Sequence, residues 1–140
     1  MIFGHMMQNM TVIREYDPDL PPIPVYAGEL DQVWSNLIDN AIDATNGHGR
    51  LWIRTLQESD CVIIEIADDG MGIATDVMPR IFEPFFTTKN VGEGAGLGLD
   101  IAYRIVVNRH DGDIRVSSKP DGGDTRFRVY LPRQRVQVQV

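Results

Sequence analysis

Asn36, Asn40 and Asp43 recur at four- and three-residue spacing within the run NLIDNAIDA. On a helix turning ~100° per residue they project within about a 60° sector, which stacks two carboxamides and a carboxylate on one side. Oxygens of these types are hard ligands suited to Mg²⁺, which keeps several waters and shares its sphere with phosphates. A solvated polar face is the plain alternative, and for this segment alone it is the commoner one. Against it, asparagine is a mediocre helix former, and two in mid-helix cost stability without evident structural gain.

Three further runs carry chemistry. In Asp68-Asp69-Gly70-Met71-Gly72-Ile73 a carboxylate follows an apolar run, with glycines at alternate positions. Such glycines let backbone approach a flat ligand closely. An ionised aspartate only accepts hydrogen bonds, so it favours an adenine amine over a guanine carbonyl; an ordinary Asp/Gly turn is equally common. Gly92-Glu-Gly94-Ala95-Gly96-Leu97-Gly98-Leu99 opens a helical pattern. Glycines there would expose N–H groups to an anion, although a lone glycine run is more often a linker. Between the two lies Arg80-Ile-Phe82-Glu-Pro84-Phe85-Phe86-Thr87-Thr88-Lys89. Three phenylalanines in a loop need a docking place, and Arg80 and Lys89 are either phosphate-directed cations or solvated charges.

These runs need elements to position them. Leu30, Val33, Trp34, Leu37, Ala41 and Ala44 form a three- and four-residue stripe, predicting a helix over Glu29–Thr45 that Asn46-Gly47-His48-Gly49 ends. Strands are expected at Thr11–Tyr16, Arg50–Leu56, Cys61–Ala67, Asp113–Ser118 and Thr125–Leu131. A short helical piece should end near Arg80-Ile81-Phe82, and a second helix should run from Leu97 to about Asn108. The stretch 83–96 reads as a mobile loop, and Pro120–Gly123 as a turn. The mixed order, without βαβ alternation, predicts an α+β two-layer sandwich with helices on one face of the sheet.

At 140 residues, with 43% apolar and 24% charged, the chain has the size and composition of one globular domain. A net charge of −7 argues against nucleic acid or an anionic membrane as partner. The single cysteine, Cys61, precludes an internal disulfide framework and reads as an inert thiol in an apolar run. No run approaches ~18 apolar residues, so a cytoplasmic compartment is expected. Residues 1–10 read as linker, 11–132 as the domain and 133–140 as a tail whose RVQVQV alternation suits an edge strand.

Taken together and in this order, the four runs resemble the GHKL ATPase/kinase superfamily, most closely the catalytic and ATP-binding domain of sensor histidine kinases. NLIDNAIDA resembles the N box, DDGMGI the first glycine box, IFEPFFTTK the phenylalanine box and GAGLGL the second glycine box. The ending GGDTRFRVYLP resembles the closing strand pair. The likeness covers Val12 to Pro132. It implies a Bergerat fold, a mixed sheet with helices on one face and a mobile ATP lid, binding ATP and Mg²⁺.

By the same resemblance Asn40 matches the Mg²⁺-coordinating asparagine and Asp68 the adenine-binding aspartate, with Gly70 and Gly72 beneath the base. Gly94, Gly96 and Gly98 match the lid glycines. Arg80 and Lys89 fall where such domains place phosphate-contacting cations. Asn36, Asn40, Arg80 and Lys89 are the expected catalytic groups. Asp43, Ile73, Phe82, Thr87, Thr88, Leu97, Leu99 and Thr125 complete the expected nucleotide contacts. Where the ATPase relatives have a glutamate base, position 36 is a carboxamide with no proton-accepting capacity, which favours transfer over hydrolysis. Three positions depart from the pattern: Ala95 replaces a common threonine, Asp124 a common glycine, and Asp43 a position that is often basic.

The family's acceptor histidine sits on a dimerisation hairpin preceding this domain, and nothing before Thr11 resembles one. His48 and His110 read as loop residues. The expected partners are that hairpin in the parent kinase and a downstream response regulator, with neither nucleic acid nor direct membrane contact. An anti-sigma-factor-type serine kinase and a non-catalytic nucleotide-sensing or docking module are the alternatives.

Overall fold

The computed structural model describes residues 9–84, 86, 98–119 and 124–133. Its strands are β1 (Met10–Glu15), β2 (Gly49–Gln57), β3 (Cys61–Asp68), β4 (Asp113–Ser118) and β5 (Thr125–Pro132), forming one sheet in the order β1-β2-β3-β5-β4. β1 and β2 pair in parallel, and the remaining pairs are antiparallel. A parallel pair needs a long crossover, and helix α1 (Ala27–Thr45) supplies it between β1 and β2.

Period-two alternation decides what faces the helices. Thr125, Phe127, Val129 and Leu131 of β5 are buried, opposite Asp68, Ile66, Ile64 and Val62 of β3. α1 covers this face with Leu30, Val33, Leu37, Ile38, Ala41 and Ile42. Helix α2 (Gly98–Arg104) adds Ala102, and a π-helical turn (Ile105–Arg109) adds Val106. Burial of one such side chain contributes roughly 1.5–3 kcal/mol. This is the expected α+β sandwich with helices on one face.

Boundaries differ from the pattern in instructive places. α1 starts at Ala27 rather than Glu29, because Tyr26 is extended and its N–H is taken by His110 Nε2 at 3.0 Å. Asn46 closes the helix in the left-handed conformation, with Gly47 N bonded to Ile42 O at 2.9 Å. The expected single second helix divides into α2 and the wider π turn. Five residues are too few for apolar spacing to separate a 3.6-residue period from a wider one. His110, expected in a loop, is instead 2% exposed, its ring bridging Ile105 O and Tyr26 N. With both ring nitrogens engaged, His110 ties the π turn to the start of α1.

Away from the helices, β3 is roofed by its neighbours' long side chains. Ile63 lies between Leu56 and Tyr130, Glu65 between Arg54 and Arg128, and Ala67 between Trp52 and Arg126. Glu65 accepts from Arg54 at 2.8 Å and Arg128 at 2.9 Å, and its side chain is 1% exposed. Burial pushes the Glu65 carboxyl up, but the two guanidinium bonds outweigh it and hold the pKa below the ordinary glutamate value. The stabilisation is therefore present above that ordinary value and is lost as pH falls through the lowered one. Glu65→Ala should cost about 2 kcal/mol by urea denaturation, less than for a fully enclosed pair because both arginines can rehydrate.

The turn at Pro120–Gly123, residues 134–140 of the tail and most of the loop 83–96 lie outside the described residues.

Candidate functional site

Asp68 is the last residue of β3, paired in register with Leu51 and Thr125 on its two sides. The ladder holds it rigidly, and it is 2% exposed. Its Oδ1 accepts from Gly70 N at 2.9 Å. Burial pushes its carboxyl up to about 6, partly offset by the Gly70 bond and reinforced by Asp69 and Asp124. A buried carboxylate with this little compensation is characteristic of a ligand-directed group.

The glycine turn after Asp68 is stitched to the protein on both sides. A side chain on Gly70 would collide with the carbonyl of Ala44 at the end of α1, and Met71 N bonds that same oxygen at 3.2 Å. Gly72 has φ +78, and a Cβ there would meet Lys119 O. The two glycines thus permit close approach to the chain's own backbone. Ile73 N donates to Ser118 Oγ at 2.7 Å, and Ser118 Oγ lies 2.8 Å from Thr125 Oγ1. Thr125, itself 2% exposed, joins Asp68 to this network through the sheet. Ser118 was not singled out by the motifs. Its signal is positional: a hydroxyl ending the inward row Ile114, Val116, Ser118 of β4.

Asn36, Asn40 and Asp43 lie along one side of α1. Asn36 Nδ2 donates to Gly98 O at 2.8 Å, and Asn36 Oδ1 accepts from Gln32 Nε2 at 2.7 Å. Asn40 is half-buried, and its side-chain amide makes no hydrogen bond among the described residues. Its carboxamide oxygen is the type of donor that a hard cation takes, and Asp43 lies one turn further on. Arg80 is engaged elsewhere: Nε pairs with Glu83 at 3.2 Å, and the guanidinium lies 4.4 Å from the Phe86 ring centroid.

Phe82 anchors as the loop composition predicts, packing on Tyr103 at 5.2 Å and Phe127 at 6.5 Å between centroids. Ile73 and Leu99 are half-buried against the same core. Thr87, Thr88, Lys89, Gly94, Gly96 and Leu97 lie outside the described residues. A shallow depression of about 320 Å³ lies on the far face of the sheet, lined by Arg115, Ser117, Arg126, Arg128 and Tyr130. Its guanidiniums pair with Asp113, Asp124 and Glu65.

The sequence pattern of the histidine kinase-, DNA gyrase B- and HSP90-like ATPases matches residues 26–135. The signal transduction histidine-protein kinase AtoS of Escherichia coli (strain K12) is 45% identical over 121 residues, which is 86% of this chain and 19% of AtoS. Sensor kinase CckA of Brucella abortus (strain 2308) is 38% identical over 134 residues, 85% of this chain and 14% of CckA. Among solved structures, the catalytic domain of histidine kinase ThkA superposes with a TM-score of 0.83 at 27% identity, covering 96% of this chain and 88% of that one. ThkA has also been solved in complex with the response regulator protein TrrA. The chain therefore spans a small part of the curated relatives and nearly all of a catalytic domain.

Proposed function

This chain belongs to the histidine kinase-, DNA gyrase B- and HSP90-like ATPase family, and from that premise we propose that it binds Mg·ATP and donates the γ-phosphoryl group to a histidine on a separate dimerisation domain of its parent protein. A response regulator then receives the group, as the ThkA–TrrA complex suggests by likeness. No helix among the described residues is long and apolar enough to cross a membrane, and a cytoplasmic setting suits ATP.

The observation that carries this reading is Asp68: a buried carboxylate at a strand end, flanked by Gly70, Gly72 and Thr125. One oxygen serves Gly70 N, and the other is left to accept the adenine amine. Asn40 would hold Mg²⁺ through its carboxamide oxygen, and the ion when bound would neutralise charge on the phosphates. Lys89 and Arg80 serve the phosphates as cations, Arg80 after leaving Glu83. Gly94, Gly96 and Gly98 admit the phosphates to backbone N–H groups, and Thr87, Thr88, Ile73, Phe82, Leu97 and Leu99 enclose the rest.

Asn36 decides between transfer and hydrolysis. In the arrangement observed, its NH₂ faces Gly98 O and its oxygen faces Gln32, so no proton acceptor stands there to activate water. The γ-phosphoryl group is kept for an imidazole nitrogen. The bond from γ-phosphorus to the bridging oxygen breaks, a phosphorus–nitrogen bond forms, and ADP leaves.

The test mixes the domain with labelled Mg·ATP and a histidine-bearing hairpin. Acid-labile, base-stable label on the hairpin supports the reading. Acid-stable phosphoserine would move it to a serine kinase, and binding without transfer to a nucleotide-sensing module.

A further inference from the structure

Gln32 lies one turn before Asn36 on α1, outside every motif that marks the site. Its Nε2 donates to Asn36 Oδ1 at 2.7 Å, and Asn36 Nδ2 donates to Gly98 O at 2.8 Å. The chain has one consistent direction. A backbone carbonyl can only accept, so the end of Asn36 facing Gly98 is its NH₂. Oδ1 then turns back along the helix, and Gln32 must present a donor to it.

We infer that Gln32 is a positioning residue for the nucleotide site, acting through Asn36. By fixing the amide it ties the first described residue of α2 to α1 and occupies the Asn36 oxygen. Metal ligation is thereby left to Asn40. This inference rests on the Mg·ATP reading above. It gives position 36 a second requirement besides the lack of a base: the side chain must donate to Gly98 O, which an ionised glutamate cannot do.

Gln32→Glu is the near-isosteric test. A carboxylate has no donor for Asn36 Oδ1 and instead attracts Asn36 Nδ2, turning the oxygen towards Gly98 O. Calorimetry with Mg·ATP should show affinity about 3- to 10-fold weaker, the range expected for one misdirected hydrogen bond. Gln32→Ala removes the donor without adding charge and should change affinity in the same direction. Because Gln32 is exposed and water can replace its bond, the urea midpoint should move little. The side-chain amide resonance of Asn36 should shift in the nucleotide-free domain, which reports loss of the Gln32 bond itself.

A double-mutant cycle decides whether the effect passes through Asn36. Gln32→Ala combined with Asn36→Ala should bind no more weakly than Asn36→Ala alone. Additive losses, an unmoved Asn36 resonance or unchanged affinity in both Gln32 variants would each overturn the inference while the nucleotide reading stands. Failure of the unaltered domain to bind Mg·ATP sinks that reading and this inference together.

Discussion

Asp68→Asn is expected to remove nucleotide affinity while making the empty domain more stable, a pairing that few substitutions produce. The carboxylate has two oxygens, one taken by Gly70 N at 2.9 Å and one left for an adenine amine. An asparagine has a single oxygen. If that oxygen serves Gly70, its NH₂ meets the adenine amine, donor against donor; if it turns, Gly70 N loses its acceptor. One buried group is left unpaired either way, and the charge assistance is gone. Together these effects are worth about 3 kcal/mol, or a hundredfold or more in dissociation constant. Calorimetry should therefore show no adenine-nucleotide binding at concentrations that saturate the unaltered domain, and unchanged affinity would defeat the assignment.

The stability half follows from the same burial. Burial pushes the Asp68 carboxyl up to about 6 from an ordinary value of 3.8. Between those values the folded chain holds a proton that the unfolded chain has released. Folding is then favoured as pH falls through 6, and ionised Asp68 is a cost at neutral pH. At ~1.4 kcal/mol per pH unit the upper bound is about 3 kcal/mol. Asparagine keeps the Gly70 bond and relieves most of this, so the thermal midpoint should rise by roughly 6 °C. In the unaltered domain, nucleotide affinity should decline about tenfold per pH unit below 6, as protonation removes the acceptor. A variant midpoint below that of the unaltered domain would show that Asp68 is compensated by partners beyond Gly70.

The sequence exposes these groups because motif spacing survives in the fold. Asp68, Gly70, Gly72 and Thr125 meet around one sheet end, and Asn36, Asn40 and Asp43 keep the helical phase that their spacing implies. What spacing hides is which partner each group takes. Gly70 and Gly72 suggest room for a flat ligand, yet their tightest neighbours are Ala44 and Lys119, contacts 26 and 47 positions away that no local pattern encodes. Arg80 pairs with Glu83 three residues on, a competition its positive charge alone does not reveal. His110 looks like punctuation before Asp111-Gly112, but the π turn swings it under the start of α1. Apolar period fixes the face an element buries far better than it fixes the partners of polar groups between elements.

Asn40 carries the other large expectation. Gln32 occupies the Asn36 oxygen, whereas the side-chain amide of Asn40, one turn further, makes no hydrogen bond among the described residues. If the metal is held from this helix, Asn40 Oδ1 is the oxygen best placed to hold it without breaking an existing bond. Losing that ligand should matter more as charge shifts to the leaving oxygen than in the ground state, where Asp68 holds the base independently. Asn40→Ala is therefore expected to slow label transfer to the histidine hairpin by about a hundredfold, some 3 kcal/mol, under single-turnover conditions at saturating nucleotide. Its dissociation constant by calorimetry should change far less. Asn40→Asp restores an oxygen but sets a negative charge against the phosphates, so its transfer rate should recover only in part. Equal losses in rate and affinity in both variants would count against a metal role and leave Asn40 as one more binding contact.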